Sequence, residues 1–286
     1  MSDLQLFLAE RPRLLALAYR LLGSRSESED ALQELWLRWQ ALRLLPDNPQ
    51  AYLTRMLSNH CLDQLRSRWR LSYIGPWLPE PQADASHAAP EEVHGRWQSL
   101  SLAFLLVLEQ LTPLQRVVWV LREVFGYPYD ELGNLLERSP AACRKLFERA
   151  QHSLGPQRSA SANPADAQLA QQCLMACLTG DTQGLLRLLA GDAQLLSDGG
   201  GVVRAALRPI VGAEKILRFF DGLRRKADSR MGAQFVRCNG TPALAFFSQG
   251  QLISLLCCEV ADGRVVRLLM QRNPHKLHGL LPDVAA

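Results

Sequence analysis

Apolar residues recur at a helical interval through the first half of the chain. Leu14, Leu15, Ala18, Leu21 and Leu22 predict one helix, which Gly23 ends. Ser26-Glu-Ser-Glu29 has the spacing of a capping box and predicts a second helix carrying Ala31, Leu32, Leu35, Trp36 and Trp39. Asn48-Pro49 supplies an N-cap and a first-turn proline for a third, roughly residues 49–68, with Leu53, Met56, Leu57, Cys61 and Leu65 as its stripe. Arg55, Asn59, Asp63, Arg66, Arg68 and Arg70 lie largely off that stripe. Further on, residues 100–111 form one amphipathic stretch, and Thr112-Pro113 caps a helix over 113–124. A turn at 126–128 leads into a helix over 129–137. Ser139 and Pro140 then open a last one, whose inward positions are Cys143, Phe147, Ala150 and Leu154.

This closing pair has the layout of a helix-turn-helix. Ala141, Ala142, Arg144, Lys145 and Glu148 are left outward on the N-terminal half of the second helix, with Arg149 one turn further on. Small residues permit close approach to a groove, and the cations can reach base edges or phosphates. Helical hairpins that bind no DNA share the pattern, so spacing alone leaves both readings open.

Beyond residue 166 the period changes. Residues 167–178, 183–189 and 211–224 read as helices. Alternating or apolar runs follow at 233–238, 243–248, 252–260 and 265–271, separated by the hairpin signals Asn239-Gly240, Gln249-Gly250 and Asp262-Gly263. That order predicts an α+β domain, helices first and a meander after. Residues 74–92 hold four Pro and four acidic residues and read as an extended linker, and 155–165 as a second, flexible one. The expected organisation is therefore 1–73 helical, 74–92 linker, 93–154 helical, 155–165 linker and 166–286 α+β.

Composition narrows the function. Of the 286 residues 48% are hydrophobic, enough for packed cores. The longest apolar runs, such as 102–108, fall far short of the ~18–20 residues that span a bilayer, and no signal peptide opens the chain, so no membrane association and a cytoplasmic location are expected. Residues 1–156 carry 17 Lys and Arg against 18 Asp and Glu, and residues 157–286 carry 15 against 10. Nucleic-acid contact must then come from local basic faces rather than from bulk charge. The seven cysteines show no zinc spacing, which predicts buried thiols and neither metal nor cofactor. Cys257 and Cys258, adjacent on a strand, should point to opposite faces, one into the core and the other exposed or cavity-facing. In the α+β domain the carboxylates to consider for catalysis are Asp198, Asp221 and Glu259. Asp198-Gly-Gly-Gly201 reads better as a turn, and no Tyr or Trp follows residue 156. A regulatory domain, a candidate small-molecule binder, is favoured over an enzyme.

Two strings carry a family likeness: Asp30-Ala-Leu-Gln-Glu34-Leu-Trp-Leu-Arg38 and Ala51-Tyr-Leu-Thr-Arg-Met-Leu-Ser-Asn59-His-Cys-Leu-Asp63-Gln-Leu-Arg66. With Leu111-Thr-Pro-Leu-Gln-Arg116 and Leu121-Arg-Glu-Val-Phe-Gly-Tyr-Pro-Tyr129, they resemble the extracytoplasmic-function sigma factors of bacterial RNA polymerase. Tyr73-Ile-Gly-Pro-Trp-Leu-Pro-Glu-Pro81, Ser197-Asp-Gly-Gly-Gly201 and Asn273-Pro-His-Lys-Leu277 are similar to the linker and signature motifs of the subgroup with a C-terminal SnoaL-like extension, a cone-shaped α+β fold. The resemblance implies that Asp30, Gln33, Glu34 and Leu37 dock on core RNA polymerase. It implies that Arg55, Asn59, Asp63, Arg66, Arg68 and Arg70 open and read the −10 promoter element, and that the helix-turn-helix reads the −35 element. For regulation it implies contacts among Asp198, Gly199, Gly200, Gly201, Asn273, Pro274, Lys276, Leu277, Trp77, Leu78 and Pro79. Val202 and His275 stand where the subgroup has Lys and Asp, so coupling between the two motifs is expected to be weak or apolar. A stand-alone helix-turn-helix regulator is the alternative; it has no need of the Asp30–Leu37 face.

Overall fold

The computed structural model describes residues 3–42, 44, 46–68, 73–84, 100–155, 164–226 and 231–281, the side chain of Arg68 excepted. They fall into two compact units, one built from residues 3–68 and 105–155, the other from 73–84, 100–104 and 164–281.

In the first unit, α1 (Asp3–Leu22), α2 (Arg25–Gln40) and α3 (Pro49–Arg68) bury Leu14, Leu17, Leu21, Ala31, Leu35, Trp39, Leu53 and Leu57. Helix α1 begins well before its apolar stripe. Phe7 stacks at a tilt on Trp36, with centroids 4.8 Å apart, and the Trp39 indole donates to the Asp3 carbonyl at 3.1 Å. The cap of α2 is Ser24 rather than Ser26: the Glu27 amide donates to Ser24 Oγ at 3.3 Å. Ser24 and Glu27 repeat the spacing of Ser26 and Glu29, so the motif by itself could not choose the register. Asn48 caps α3 as expected, taking the Ala51 amide at 3.0 Å.

Helix α4 (Leu102–Leu108) is shorter than its amphipathic stretch. Thr112 and Gln115 form a reciprocal capping box at α5 (Pro113–Trp119), which runs into a π-turn at Val120–Val124. Helices α6 (Tyr129–Leu136) and α7 (Pro140–Leu154) complete the unit. Between them Glu137 adopts φ +55°, and the Ser139 hydroxyl caps α7 through the Ala142 amide at 3.2 Å. A Cβ at Gly133 would lie 2.7 Å from the Arg138 carbonyl, so this tight corner needs glycine. The two helical groups are joined by buried polar contacts. Arg13 donates to Thr54 Oγ1 at 2.9 Å, to the Tyr127 hydroxyl at 3.2 Å and to Glu10 at 2.6 Å. Arg116 donates to the Leu21 carbonyl at 3.0 Å and pairs with Glu109 at 2.6 Å. Hydrogen bonds and ion pairs of this kind offset much of the cost of burying a guanidinium, although Arg116 Nε itself is left without a partner among the described residues.

The second unit opens with α8 (Pro164–Thr179) and α9 (Thr182–Leu188), followed by β1 (Leu189–Asp198), β2 (Ile210–Val211) and α10 (Ala213–Arg224). The meander is β3 (Met231–Cys238), β4 (Thr241–Ser248), β5 (Gln251–Ala261) and β6 (Arg264–Gln271), and a single turn α11 (Pro274–Leu277) follows. The sheet order is β2-β1-β6-β5-β4-β3, parallel only between β1 and β6. Each expected hairpin turn has two residues at positive φ, for example Asn239 at +53° and Gly240 at +74°. Strand β1 had no alternating signature, because Gly191 and Asp192 interrupt it and its register shifts between Leu189 and Gln194. Cys173, Leu174, Leu185, Ile216 and Phe220 on the helices pack against Leu244, Leu256 and Leu268 of the sheet. Cys257 and Cys258 are both buried, so neither reaches solvent as the alternation suggested; the second face is covered too.

Candidate nucleic-acid and partner interfaces

On α2, Asp30, Gln33 and Leu37 stand exposed along one face. Glu34 is held within the unit: it pairs with Arg38 one turn on, and its second oxygen lies 3.4 Å from His60 Nδ1 on α3. The surface is acidic and amide-bearing with an apolar centre, since the Leu37 side chain is among the most exposed of its kind. On α3, Arg55, Asn59, Asp63 and Arg66 form one outward row. Asp63 and Arg66 pair at 3.3 Å, and Arg55 pairs with Glu137 at the end of α6. The Arg68 side chain and Arg70 lie outside the described residues.

On α7, Ala141, Arg144, Lys145 and Arg149 are exposed and Ala142 half-buried, while Cys143, Phe147 and Ala150 are buried. The N-terminal half of the second helix thus presents cations over an apolar seam, the arrangement that enters a major groove. The Tyr129 ring supports this face. Arg122 stacks over it at 4.6 Å and Arg144 at 5.2 Å, and Phe147 meets it edge-on.

The second unit brings most of the other singled-out residues together. Asp198, wholly buried at the end of β1, accepts four donors. Tyr73 Oη and the Gly200 amide reach Oδ1 at 2.7 and 2.9 Å, and the Leu78 amide and Lys276 Nζ reach Oδ2 at 2.9 and 2.7 Å. Lys276 also donates to the Leu78 carbonyl at 2.6 Å and lies over the rings of Trp77, at 4.4 Å, and Tyr73, at 5.1 Å. The Pro79 carbonyl accepts from Gln271 at 3.4 Å. Asn273 caps α11, whose first residue is Pro274 and whose last, Leu277, is buried; its amide nitrogen donates to Tyr73 Oη at 3.2 Å. Gly200 sits at φ +63°, and a Cβ there would meet the Asn273 side chain at 2.3 Å. A Cβ at Gly199 would lie 2.4 Å from the Val203 carbonyl, and Gly201 lies beside Ile74. The two signature motifs are therefore coupled by a buried ion pair, not by a weak or apolar contact. The charges are Asp198 and Lys276, while Val202 and His275 are both exposed. Burial first, then the hydrogen bond to the Asp198 carboxylate, pushes the Tyr73 phenol well above its ordinary range.

Residues 73–84 thus lie extended along this unit, and their far end joins the sheet edge. Ala83 bridges Cys238 antiparallel, the Asp84 amide donates to the Arg237 carbonyl at 3.0 Å, and Asp84 accepts the Gly240 amide at 2.9 Å. Asn239 exchanges hydrogen bonds with the Gln82 backbone, both at 2.9 Å. Sequence reasoning missed Tyr73, Gln82, Asp84, Asn239 and Gln271. Tyr73 had been read only as the first residue of the linker motif and Asn239 only as a turn residue; Gln82, Asp84 and Gln271 carry no local pattern. The carboxylates considered for catalysis all have cations close by: Asp198 meets Lys276, Asp221 pairs with Arg224 at 2.5 Å, and Glu259 pairs with Arg267 at 3.1 Å. Among the described residues no group of His, Cys, Asp or Glu is arranged to hold a metal ion, and no helix is long and apolar enough to cross a membrane.

Two helical groups, the second ending in a helix-turn-helix, are followed by an α+β domain, and this order defines a helix-turn-helix protein with an appended α+β module. Residues 6–71 match the family model of Sigma-70 region 2, and residues 101–150 match Sigma-70, region 4. The chain is 33% identical to the ECF RNA polymerase sigma factor SigJ of Mycobacterium tuberculosis, over 96% of this chain and 92% of that relative. It is 30% identical to the probable ECF RNA polymerase sigma factor SigI of the same species, over 96% and 95%. The crystal structure of Mycobacterium tuberculosis SigJ superposes with a TM-score of 0.76 at 30% identity, covering 96% of this chain and 97% of that one. The chain belongs to the extracytoplasmic-function RNA polymerase sigma factors. It is a polymerase-binding sigma factor, and the stand-alone regulator is not favoured. Sigma factors bind core RNA polymerase and promoter DNA, and the family is not enzymatic.

Proposed function

We propose that the face of α2 carrying the exposed Asp30, Gln33 and Leu37 and the half-buried Glu34 docks on core polymerase. In this reading the row Arg55, Asn59, Asp63, Arg66, Arg68 and Arg70 opens the −10 element, and Ala141, Ala142, Arg144, Lys145 and Arg149 read the −35 element. The observation that carries it is the outward set of cations on α7 over the buried Cys143, Phe147 and Ala150. Cations on a helix face hold phosphates, and two alanines allow the backbone to approach the groove floor. The protein then works in the cytoplasm, where its polymerase and promoter are.

The SnoaL-like domain acts by binding, not catalysis. Asp198, the carboxylate that an isomerase-like pocket would use, is saturated by four donors and holds the segment that joins the two sigma regions in sequence. Regulation therefore works through the grip on residues 73–84, held at one end by Asp198 and Lys276 and at the other by the Asn239 turn. An apolar cluster around Leu244, Leu256 and Leu268 packs the layer between helices and sheet, and we assign the control to polypeptide contacts with residues 73–84.

The test is promoter-directed transcription with purified core polymerase and the full-length protein. Wild type should co-elute with core and start specific transcripts, and Glu34→Ala/Leu37→Ala should lose co-elution while keeping its helical circular dichroism. Full co-elution of that double variant would remove the docking face. A wild-type protein that neither binds core nor starts transcripts would end the whole reading.

A further inference from the structure

One side chain of the α2 face is held in place and the rest are not. Asp30, Gln33 and Leu37 stand exposed, whereas the Glu34 carboxylate is gripped from two sides. Its Oε1 takes Arg38, one turn on along the same helix, and its Oε2 lies 3.4 Å from His60 Nδ1 on α3. His60 is itself fixed. Its side chain is only 17% exposed, and the Gln64 amide nitrogen, one turn further along α3, lies 2.9 Å from Nε2 on the far side of the ring. An amide nitrogen can only donate, so Nε2 accepts, and a neutral ring then carries its proton on Nδ1, the atom that faces Glu34. The reverse amide orientation would need the proton on Nε2 and would turn a bare Nδ1 lone pair toward the carboxylate. Gln64, His60 and Glu34 therefore form one chain of donors that ends on the docking face.

We infer that His60 is a positioning residue for polymerase binding, which fixes the Glu34 carboxylate in the orientation that α2 presents to a basic surface of the core enzyme. The inference rests on the reading of α2 as the docking face. Arg38 by itself does not fix Glu34: both side chains are about half exposed, and a solvated pair one turn apart leaves a long side chain most of its rotamers. His60 stands on a different helix and is shielded from water, so it restrains the carboxylate against the body of the unit. A glutamate that must be ordered at the moment of binding costs affinity, and one ordered beforehand does not. An acidic face with a fixed carboxylate also sets the register of a cationic partner. Sequence patterning gave no sign of this role, because His60 lies on the half-buried edge of α3 with Met56 and Gln64, between the apolar stripe and the outward row.

The experiment titrates fluorescently labelled full-length protein with purified core polymerase and compares wild type with His60→Leu, His60→Asn, Glu34→Ala and Glu34→Ala/His60→Leu. Leucine fills the space of the ring without a donor, and asparagine places an amide N–H where Nδ1 stands. His60→Leu should bind core about 2- to 10-fold more weakly, the cost of ordering one long side chain, and His60→Asn should return to within about twofold of wild type. Glu34→Ala should weaken binding, and adding His60→Leu to it should change nothing more, since His60 acts only through Glu34. His60→Met takes the place of His60→Leu should the latter lose the helical circular dichroism of wild type. Wild-type affinity in His60→Leu beside a weakened Glu34→Ala overturns the inference and leaves the docking face standing. So does a His60→Leu loss that is as large in the Glu34→Ala background, or one that asparagine does not restore. Wild-type affinity in Glu34→Ala removes Glu34 from the docking face, and the inference falls with it.

Discussion

Arg55 and Lys276 are both cations paired with a carboxylate, and the two pairs behave oppositely. The Arg55–Glu137 pair of the first unit is solvated, with side chains 46% and 71% exposed; the Lys276–Asp198 pair of the second is at 11% and 0%. A solvated pair contributes roughly 0.2–1 kcal/mol and is screened by salt, so Arg55 can exchange Glu137 for a phosphate at little cost. A buried pair is committed. Its partners are desolvated and carry further hydrogen bonds, so losing one leaves an uncompensated charge. The first unit therefore carries Arg55 in an exposed row where it can change partner, whereas the second uses Lys276 to hold one segment of its own chain.

The sharpest way to break this comparison is Lys276→Met. It leaves the Asp198 carboxylate buried with only neutral donors and should destabilise the second unit by about 3–5 kcal/mol, read from urea unfolding. Pairing it with Asp198→Asn should recover part of that loss; a single variant as stable as wild type would mean the pair is not committed. Next in size, Arg144→Ala/Lys145→Ala should weaken promoter binding by about 1–3 kcal/mol for each base edge that these two side chains read. Its unfolding should stay within about 0.5 kcal/mol of wild type, because both residues are exposed. Unchanged affinity in a binding titration would remove α7 from the promoter interface. The smallest effect belongs to Glu137→Ala. Stability should move by less than about 1 kcal/mol, and DNA affinity at low salt should rise slightly as Arg55 is released. A drop in affinity would show that Glu137 positions Arg55 rather than competes for it.

Much of this architecture was legible in the residues. The Asn48, Thr112 and Ser139 caps, the three hairpin turns and the buried seam of α7 were all readable, because each is set by residues within a few positions of one another. The capping register at Ser24 and the strand β1 were not. Two overlapping Ser-x-x-Glu spacings compete at the first, and an irregular register with a central glycine erases alternation in the second. The clasp was legible only as a set of members. The motifs containing Asp198 and Lys276 stood out, but their ion pair did not, and Val202 and His275 drew the expectation away from it.

The sequence by itself determined where helices and hairpins form, which helix faces are apolar and which cations point outward, since the periods of 3.6 and 2 act over short distances. Only the tertiary structure decided which charges are free and which are bound. The Leu78 amide and the Asp198 carboxylate lie 120 positions apart, and the Leu78 carbonyl and Lys276 lie 198 apart. Contacts at that separation leave no periodic trace along the chain. What selects them is the burial of Asp198: once the fold takes that carboxylate out of water, every donor within reach must turn toward it.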